Sequence, residues 1–189
     1  MKILIIDNGT SFLFKLKKLF IGNDIVIIPF YTITVKEARE FDLIVLSGGH
    51  KYSVEHHEKE YHNELEIIRK AKKPVLGICL GFELIAYNYG CELKRLRKKE
   101  KGIVTIELIP DDITKGLNEI KVFESHRWVI KSPGKKLIAL GSSKDGIEII
   151  KHKTKPIYGF QFHPEIIRNG LKGKLLFSNF LSVISRSKF

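Results

Sequence analysis

The chain has 189 residues, of which 43% are hydrophobic and 29% charged. That is enough to bury a core in one domain and excludes an intrinsically disordered chain. Lys and Arg number 33 against 21 Asp and Glu, a formal net charge of +12, which points to an anionic partner. The longest apolar runs fall far short of the roughly 20 residues that span a bilayer, so no membrane association is expected.

Residues 2–7 read as a buried strand that stops at Asp7. They lack the apolar core and small-residue cleavage site of a signal peptide. A turn at Asn8-Gly9-Thr10 follows. Residues 11–20 place Phe12, Leu13, Leu16, Leu19 and Phe20 near helical spacing. A second strand is expected over residues 25–29, and Thr34 is placed to cap a short helix over 35–40. Residues 43–47 read as a third strand that ends in Gly48-Gly49. A helix over 61–71 and a fourth strand over 75–78 come next. The helix over 79–89 is ended by Gly90. Strand–helix alternation of this kind predicts a parallel sheet covered on both faces.

The second half changes character. Residues 103–109, 122–125, 129–131, 137–140, 147–152 and 157–162 are short strand candidates at hairpin spacing. A helix over 170–187 closes the chain. The prediction is one α/β domain over residues 1–189. It is a three-layer sandwich around a central, mostly parallel sheet with a flavodoxin-like core and a small antiparallel extension.

Cys79 and Cys91 make no disulfide framework, and a reduced, cytoplasmic setting is expected. The densest basic run, 94–101, carries Lys94, Arg95, Arg97, Lys98, Lys99 and Lys101. No aromatic residues interleave with it, so the base-stacking platform of single-strand binders is missing and nucleic acid is disfavoured. The run reads as a solvated loop or a partner-docking face. His56, His57 and His62 lie among glutamates and read as a solvated helix start, with no metal expected. No phosphate loop or dinucleotide fingerprint is present, and no cofactor is expected.

The informative segment is Gly77-Ile78-Cys79-Leu80-Gly81 at a strand-to-helix junction. It is the cysteine version of a nucleophile elbow. The tight turn projects the thiol out of the sheet, and flanking glycines remove Cβ atoms that would collide there. The helix N-terminus favours thiolate. The Leu80 N–H is free for a developing oxyanion. A strand that ends in Gln161-Phe162-His163-Pro164-Glu165 supplies an imidazole as base and a carboxylate to orient it.

These two segments together resemble the class I, triad-type glutamine amidotransferase family. Asp7-Asn8-Gly9 resembles its first strand and turn, and Leu46-Ser47-Gly48-Gly49 its oxyanion strand. Ser125-His126 resembles its substrate loop. The resemblance implies that Cys79 attacks the side-chain amide of glutamine, that His163 moves the protons, and that Glu165 orients His163. It also implies an oxyanion hole from Gly49 and Leu80. Gly48, Phe82, Glu83, Ser125, His126 and Trp128 would line the glutamine pocket. Ammonia would pass to a separate synthetase subunit.

Three positions depart from the family pattern. His50 stands where proline usually follows the Gly-Gly pair, which implies a different loop shape there and an oxyanion hole completed by a partner. Glu83 replaces the usual glutamine, and a carboxylate there repels an α-carboxylate and attracts an α-ammonium. Arg127-Trp128 replaces the Gly-Asp common in GMP synthetases. Ser125-His126 and the stretch 152–159 look most like the glutaminase subunit of two-subunit GMP synthetase, whose partner is of the ATP-pyrophosphatase type. The glutaminase of anthranilate or aminodeoxychorismate synthase is the second reading. A non-catalytic or γ-glutamyl hydrolase relative is the third.

Overall fold

Alternating residues of the first strands serve two different cores, and this sets the architecture. In β1 (Lys2–Asn8), Leu4 and Ile6 face one core while Ile3 and Ile5 face the other. Ile44 and Leu46 divide from Leu43 and Val45 in the same way in β3 (Leu43–Gly49). Both faces must therefore be covered by helices. The computed structural model describes residues 1–186.

Helices α2 (Val35–Ala38), α3 (Val54–His57), α4 (His62–Lys70) and α5 (Leu80–Asn88) contribute to the first core. Helices α1 (Leu13–Lys18) and α6 (Gly173–Arg186) cover the other face through Leu16, Leu176, Phe177 and Phe180. Thr34 caps α2 as expected. Its hydroxyl accepts from the Glu37 N–H at 3.3 Å, and the Glu37 carboxylate accepts from the Thr34 N–H at 3.0 Å. The expected closing helix runs to residue 187, which lies outside the described residues.

The remaining strands are β2 (Asp24–Pro29), β4 (Val75–Ile78), β5 (Leu93–Leu108), β6 (Glu119–Ile130), β7 (Leu137–Ser142), β8 (Ile147–His152) and β9 (Ile157–Phe160). They join one sheet in the order β2-β1-β3-β4-β9-β8-β6-β5-β7. β2, β1, β3, β4 and β9 run parallel, and β8, β6, β5 and β7 are joined by antiparallel pairings. β7 also pairs with β8, so the antiparallel strands curl into a closed ring. That half is as large as the parallel one and continues the same sheet. It is more than the small extension expected.

Two sequence expectations are corrected here. The basic run 94–101 is not a loop: it lies within the 16-residue β5, paired to β6 with an irregularity between Arg95 and Glu100. The separate strands expected over 122–125 and 129–131 are one continuous β6. In both places polar residues line an exposed strand face, which hides the period-2 signal. No helix among the described residues is long and apolar enough to cross a membrane.

Candidate active site

The site forms where β3, β4 and β9 end side by side, at the carboxyl edge of the parallel strands. β4 passes into α5 through Cys79, whose φ of +51° is the only positive value at a non-glycine among the described residues. Such a conformation costs of order 1–3 kcal/mol and persists only where the surroundings enforce it. The Cys79 N–H donates to the Phe160 carbonyl at 2.8 Å, and its carbonyl accepts from the Glu83 N–H at 3.0 Å. The two flanking glycines leave no room for a side chain. A Cβ on Gly77 would lie 2.3 Å from the Gly81 carbonyl oxygen, and one on Gly81 would lie 2.3 Å from that of Leu46.

Gly48 separates the nucleophile from the histidine. A Cβ there would sit 3.5 Å from the Cys79 Cβ and 3.2 Å from the His163 Cε1. The backbone under Gly48 and Gly49 is fixed by Asn8. Its N–H donates to Ser47 Oγ at 2.9 Å, and its amide donates to the Ser47 carbonyl at 3.0 Å and to Glu64 Oε1 at 3.2 Å. Glu64 is fully buried, and burial pushes its carboxyl up to about 8.

His163 is held from three sides. Its N–H donates to the Phe123 carbonyl at 2.9 Å, and its ring packs against Phe12 with centroids 4.9 Å apart. Nδ1 lies 2.8 Å from Glu165 Oε1. A carboxylate only accepts, so Nδ1 carries the hydrogen and Nε2 keeps its lone pair. The Cys79 thiol donates to the Ser125 carbonyl at 3.8 Å. Burial raises the thiol well above its ordinary pKa, and the charges of Glu83 and Glu165 add to this. The Leu80 N–H and Lys99 oppose it. The resting sulfur is therefore a thiol.

Two cavities meet at Cys79. One, of about 190 Å³, is lined by Gly49, His50, Tyr52, Ser53, Leu80, Glu83, Lys99, Ser125, His126, Arg127 and Trp128. The other, of about 380 Å³, adds Thr10, Ser11, Phe12, Lys101 and His163. Glu83 is buried, and desolvation raises its carboxyl to about 7 against the opposing charge of His126. The structure thus gathers Cys79, His163, Glu165, Gly48, Gly49, Leu80, Glu83, Ser125, His126 and Trp128 at one place. Phe82 is the exception. It is fully buried in the core and packs over Gly159 of β9, because three residues into α5 the helix turns that side chain towards the sheet.

The sequence reading missed Phe12, Lys99 and the Asn8, Ser47 and Glu64 network. Lys99 was hidden inside the basic run, and only its proximity to the nucleophile gives it a role. His56, His57 and His62 are exposed, as expected. Cys91 is buried and follows α5, with its N–H donating to the Ala86 carbonyl at 3.0 Å.

Known proteins match this arrangement over nearly the whole chain. The model of the family "Glutamine amidotransferase class-I" matches residues 4–183. A glutamine-hydrolysing GMP synthase subunit of Saccharolobus solfataricus is 35% identical over 167 residues, 87% of each chain. The corresponding protein of Ignicoccus hospitalis is 33% identical over 190 residues, 98% of this chain and 99% of the relative. A crystal structure of a protein described as a GMP synthase subunit, from Thermoplasma acidophilum, superposes with a TM-score of 0.87 at 29% identity. That match covers 98% of this chain and 94% of the other.

Proposed function

The chain belongs to the class I glutamine amidotransferase family and is a glutamine-hydrolysing enzyme, and we propose that it is the glutaminase subunit of a two-subunit GMP synthetase. Its relatives carry that description. The observation that carries the mechanism is a buried thiol on a strained elbow, with an oriented imidazole on the other side of Gly48.

Cys79 Sγ attacks the side-chain carbonyl carbon of glutamine while its proton passes to His163 Nε2. Glu165 accepts the Nδ1 hydrogen throughout and stabilises the imidazolium. The C=O electrons move onto oxygen, where the N–H groups of Leu80 and Gly49 receive them. Collapse breaks the C–N bond, and His163 returns the proton to the departing nitrogen as ammonia. A γ-glutamyl thioester remains. His163 then takes a proton from water, hydroxide attacks the thioester carbonyl, and glutamate and the thiol are released. The sum is glutamine plus water to glutamate plus ammonia. The high resting pKa of the thiol fits this route, because proton loss and attack occur together and no standing thiolate is needed.

Ammonia leaves for an ATP-pyrophosphatase-type synthetase subunit in the cytoplasm. The cations of β5 and the cavity rim, Lys99, Lys101 and Arg127, suit an acidic docking face. A glutaminase assay in the presence and absence of that synthetase, at low and high salt, tests the proposal. Stimulation that fades with salt is expected. Equal turnover without a partner, and no complex on gel filtration, would contradict it.

A further inference from the structure

Beneath the glutamine cavity lies a second constellation that the chemistry above does not use. Glu124 and Glu148 are fully inaccessible and His126 is 3% exposed. One carboxylate oxygen from each glutamate and a ring nitrogen of His126 lie within 4.8 Å of one another. His126 Nδ1 is 3.0 Å from the Trp128 carbonyl, which only accepts, so Nδ1 carries a hydrogen. Nε2 is 3.0 Å from Glu124 Oε2. A lone pair on Nε2 would face a carboxylate lone pair there, so a proton lies between the two. Glu148 Oε1 accepts from the Ser143 hydroxyl at 2.6 Å. Glu148 Oε2 and Glu124 Oε1 have no partner among the described residues. A proton between the two carboxyls satisfies both.

With two protons the cluster is electrically neutral: one glutamate ionised, one neutral, and His126 a cation. That is the state a dry interior favours. Burial alone lowers the pKa of His126, but the hydrogen bond and charge of Glu124, with Glu148 and Glu83, outweigh it and raise the net value. Burial and then Glu124 hold the Glu148 carboxyl well above the carboxylate range. The groups facing His126 come from three elements: Glu83 on α5, Glu124 on β6 and Glu148 on β8. Both ring nitrogens of His126 are occupied, so it acts on the cavity through its field and makes no hydrogen bond there.

We propose that Glu124 and Glu148 are positioning residues for the glutamine pocket: they keep His126 a cation, and its charge offsets Glu83 and draws the α-carboxylate of glutamine into the cavity beside Cys79. The substrate half rests on the glutaminase reading above, whereas the proton arrangement stands without it. The conservative replacement is diagnostic. The side chain of Glu148→Gln accepts from Ser143 and donates to Glu124, as the neutral carboxyl does. That of Glu148→Leu fills the space and donates nothing. That of Glu124→Gln donates to Nε2 and leaves the imidazole neutral.

The test is an NMR titration of the His126 ring in wild type, Glu148→Gln, Glu148→Leu and Glu124→Gln, with KM and kcat for glutamine alongside. Wild type and Glu148→Gln are expected to titrate above 6.5. Glu148→Leu and Glu124→Gln should titrate lower by about one unit or more, with KM raised about fivefold and kcat within about twofold. The NMR half needs no turnover, so a failed glutaminase reading shows as absent hydrolysis in every protein with the titrations unchanged. A wild-type ring that titrates at or below 6.5 overturns the proposal, as does a Glu148→Gln protein that behaves like Glu148→Leu. So does an unchanged KM where the ring has lost its charge. A ring signal that moves on adding Zn²⁺ or EDTA overturns it too, since a metal ion would then hold the cluster together.

Discussion

The Cys79 thiol donates to the carbonyl oxygen of Ser125, 3.8 Å away, and a protonated sulfur is also what its buried surroundings favour. His163 is already oriented by Glu165. The resting site is thus loaded with its base but holds its nucleophile as a thiol, and attack requires the S–H to swing from Ser125 towards Nε2. Alkylation of Cys79 by iodoacetamide at pH 7 is expected to be at least tenfold slower than that of a free peptide thiol. Peptide mapping of the time course checks this. Alkylation as fast as the peptide would mean a standing thiolate.

Glu83 contributes its charge to the elevation of the thiol and to the field in the cavity. Glu83→Gln removes that charge and keeps an acceptor for Gln161, whose amide lies 3.5 Å from Glu83 Oε1. The expected result is a severalfold lower KM for glutamine or a higher turnover, together with faster alkylation of Cys79. Steady-state kinetics from pH 6 to 9 is the measurement. In the wild type the effect of Glu83 should appear as the pH rises through about 7, where its carboxyl ionises, and it should be missing in the variant.

Backbone strain at the elbow predicts a trade of stability against activity. Glycine accepts the +51° φ of position 79 without penalty. Cys79→Gly should therefore abolish hydrolysis and leave the protein at least as stable, by up to about 1 kcal/mol. Gly81→Ala should do the opposite to stability, because its methyl would meet the Leu46 carbonyl at 2.3 Å. A loss of more than about 3 kcal/mol is expected. Denaturant unfolding of both variants reads the two signs.

Much of this site was legible in the sequence, for reasons that are local. Gly77, Cys79 and Gly81 are forced by one tight turn, and His163 and Glu165 need only two residues of spacing to meet. Phe82 was misread because its role depends on the direction α5 takes after the elbow, which three residues cannot reveal. The basic run was misread as a loop because the lysines of β5 gave no apolar period, although pairing to β6 holds it straight. Glu64, Glu124 and Glu148 were invisible for another reason. Each is a charged residue in an otherwise ordinary helix or strand, and only tertiary packing buries it.

Glu64 gives a pH dependence to folding. Its folded pKa of about 8 lies above the ordinary 4.5, so between those values the folded chain holds a proton that the unfolded chain releases. Stability should fall as pH rises through that window and level off above it, by at most about 5 kcal/mol. Glu64→Gln still accepts from the Asn8 amide and can donate to Asn8 Oδ1, which has no partner among the described residues. The variant should lose this slope and be the more stable protein at pH 9. Thermal unfolding from pH 5 to 9 compares the two; parallel curves would contradict the assignment.

One covalent bond is central to all of this chemistry, the bond between the sulfur of Cys79 and the side-chain carbonyl carbon of glutamine. Rapid acid quench during turnover of glutamine, followed by peptide mapping by mass spectrometry, tests it directly in the complex with the synthetase. A glutamyl adduct on the peptide that holds Cys79 is predicted, absent in Cys79→Ser and accumulating in a variant slowed at His163. Turnover with no adduct on Cys79, or with the adduct on Cys91, would contradict the account.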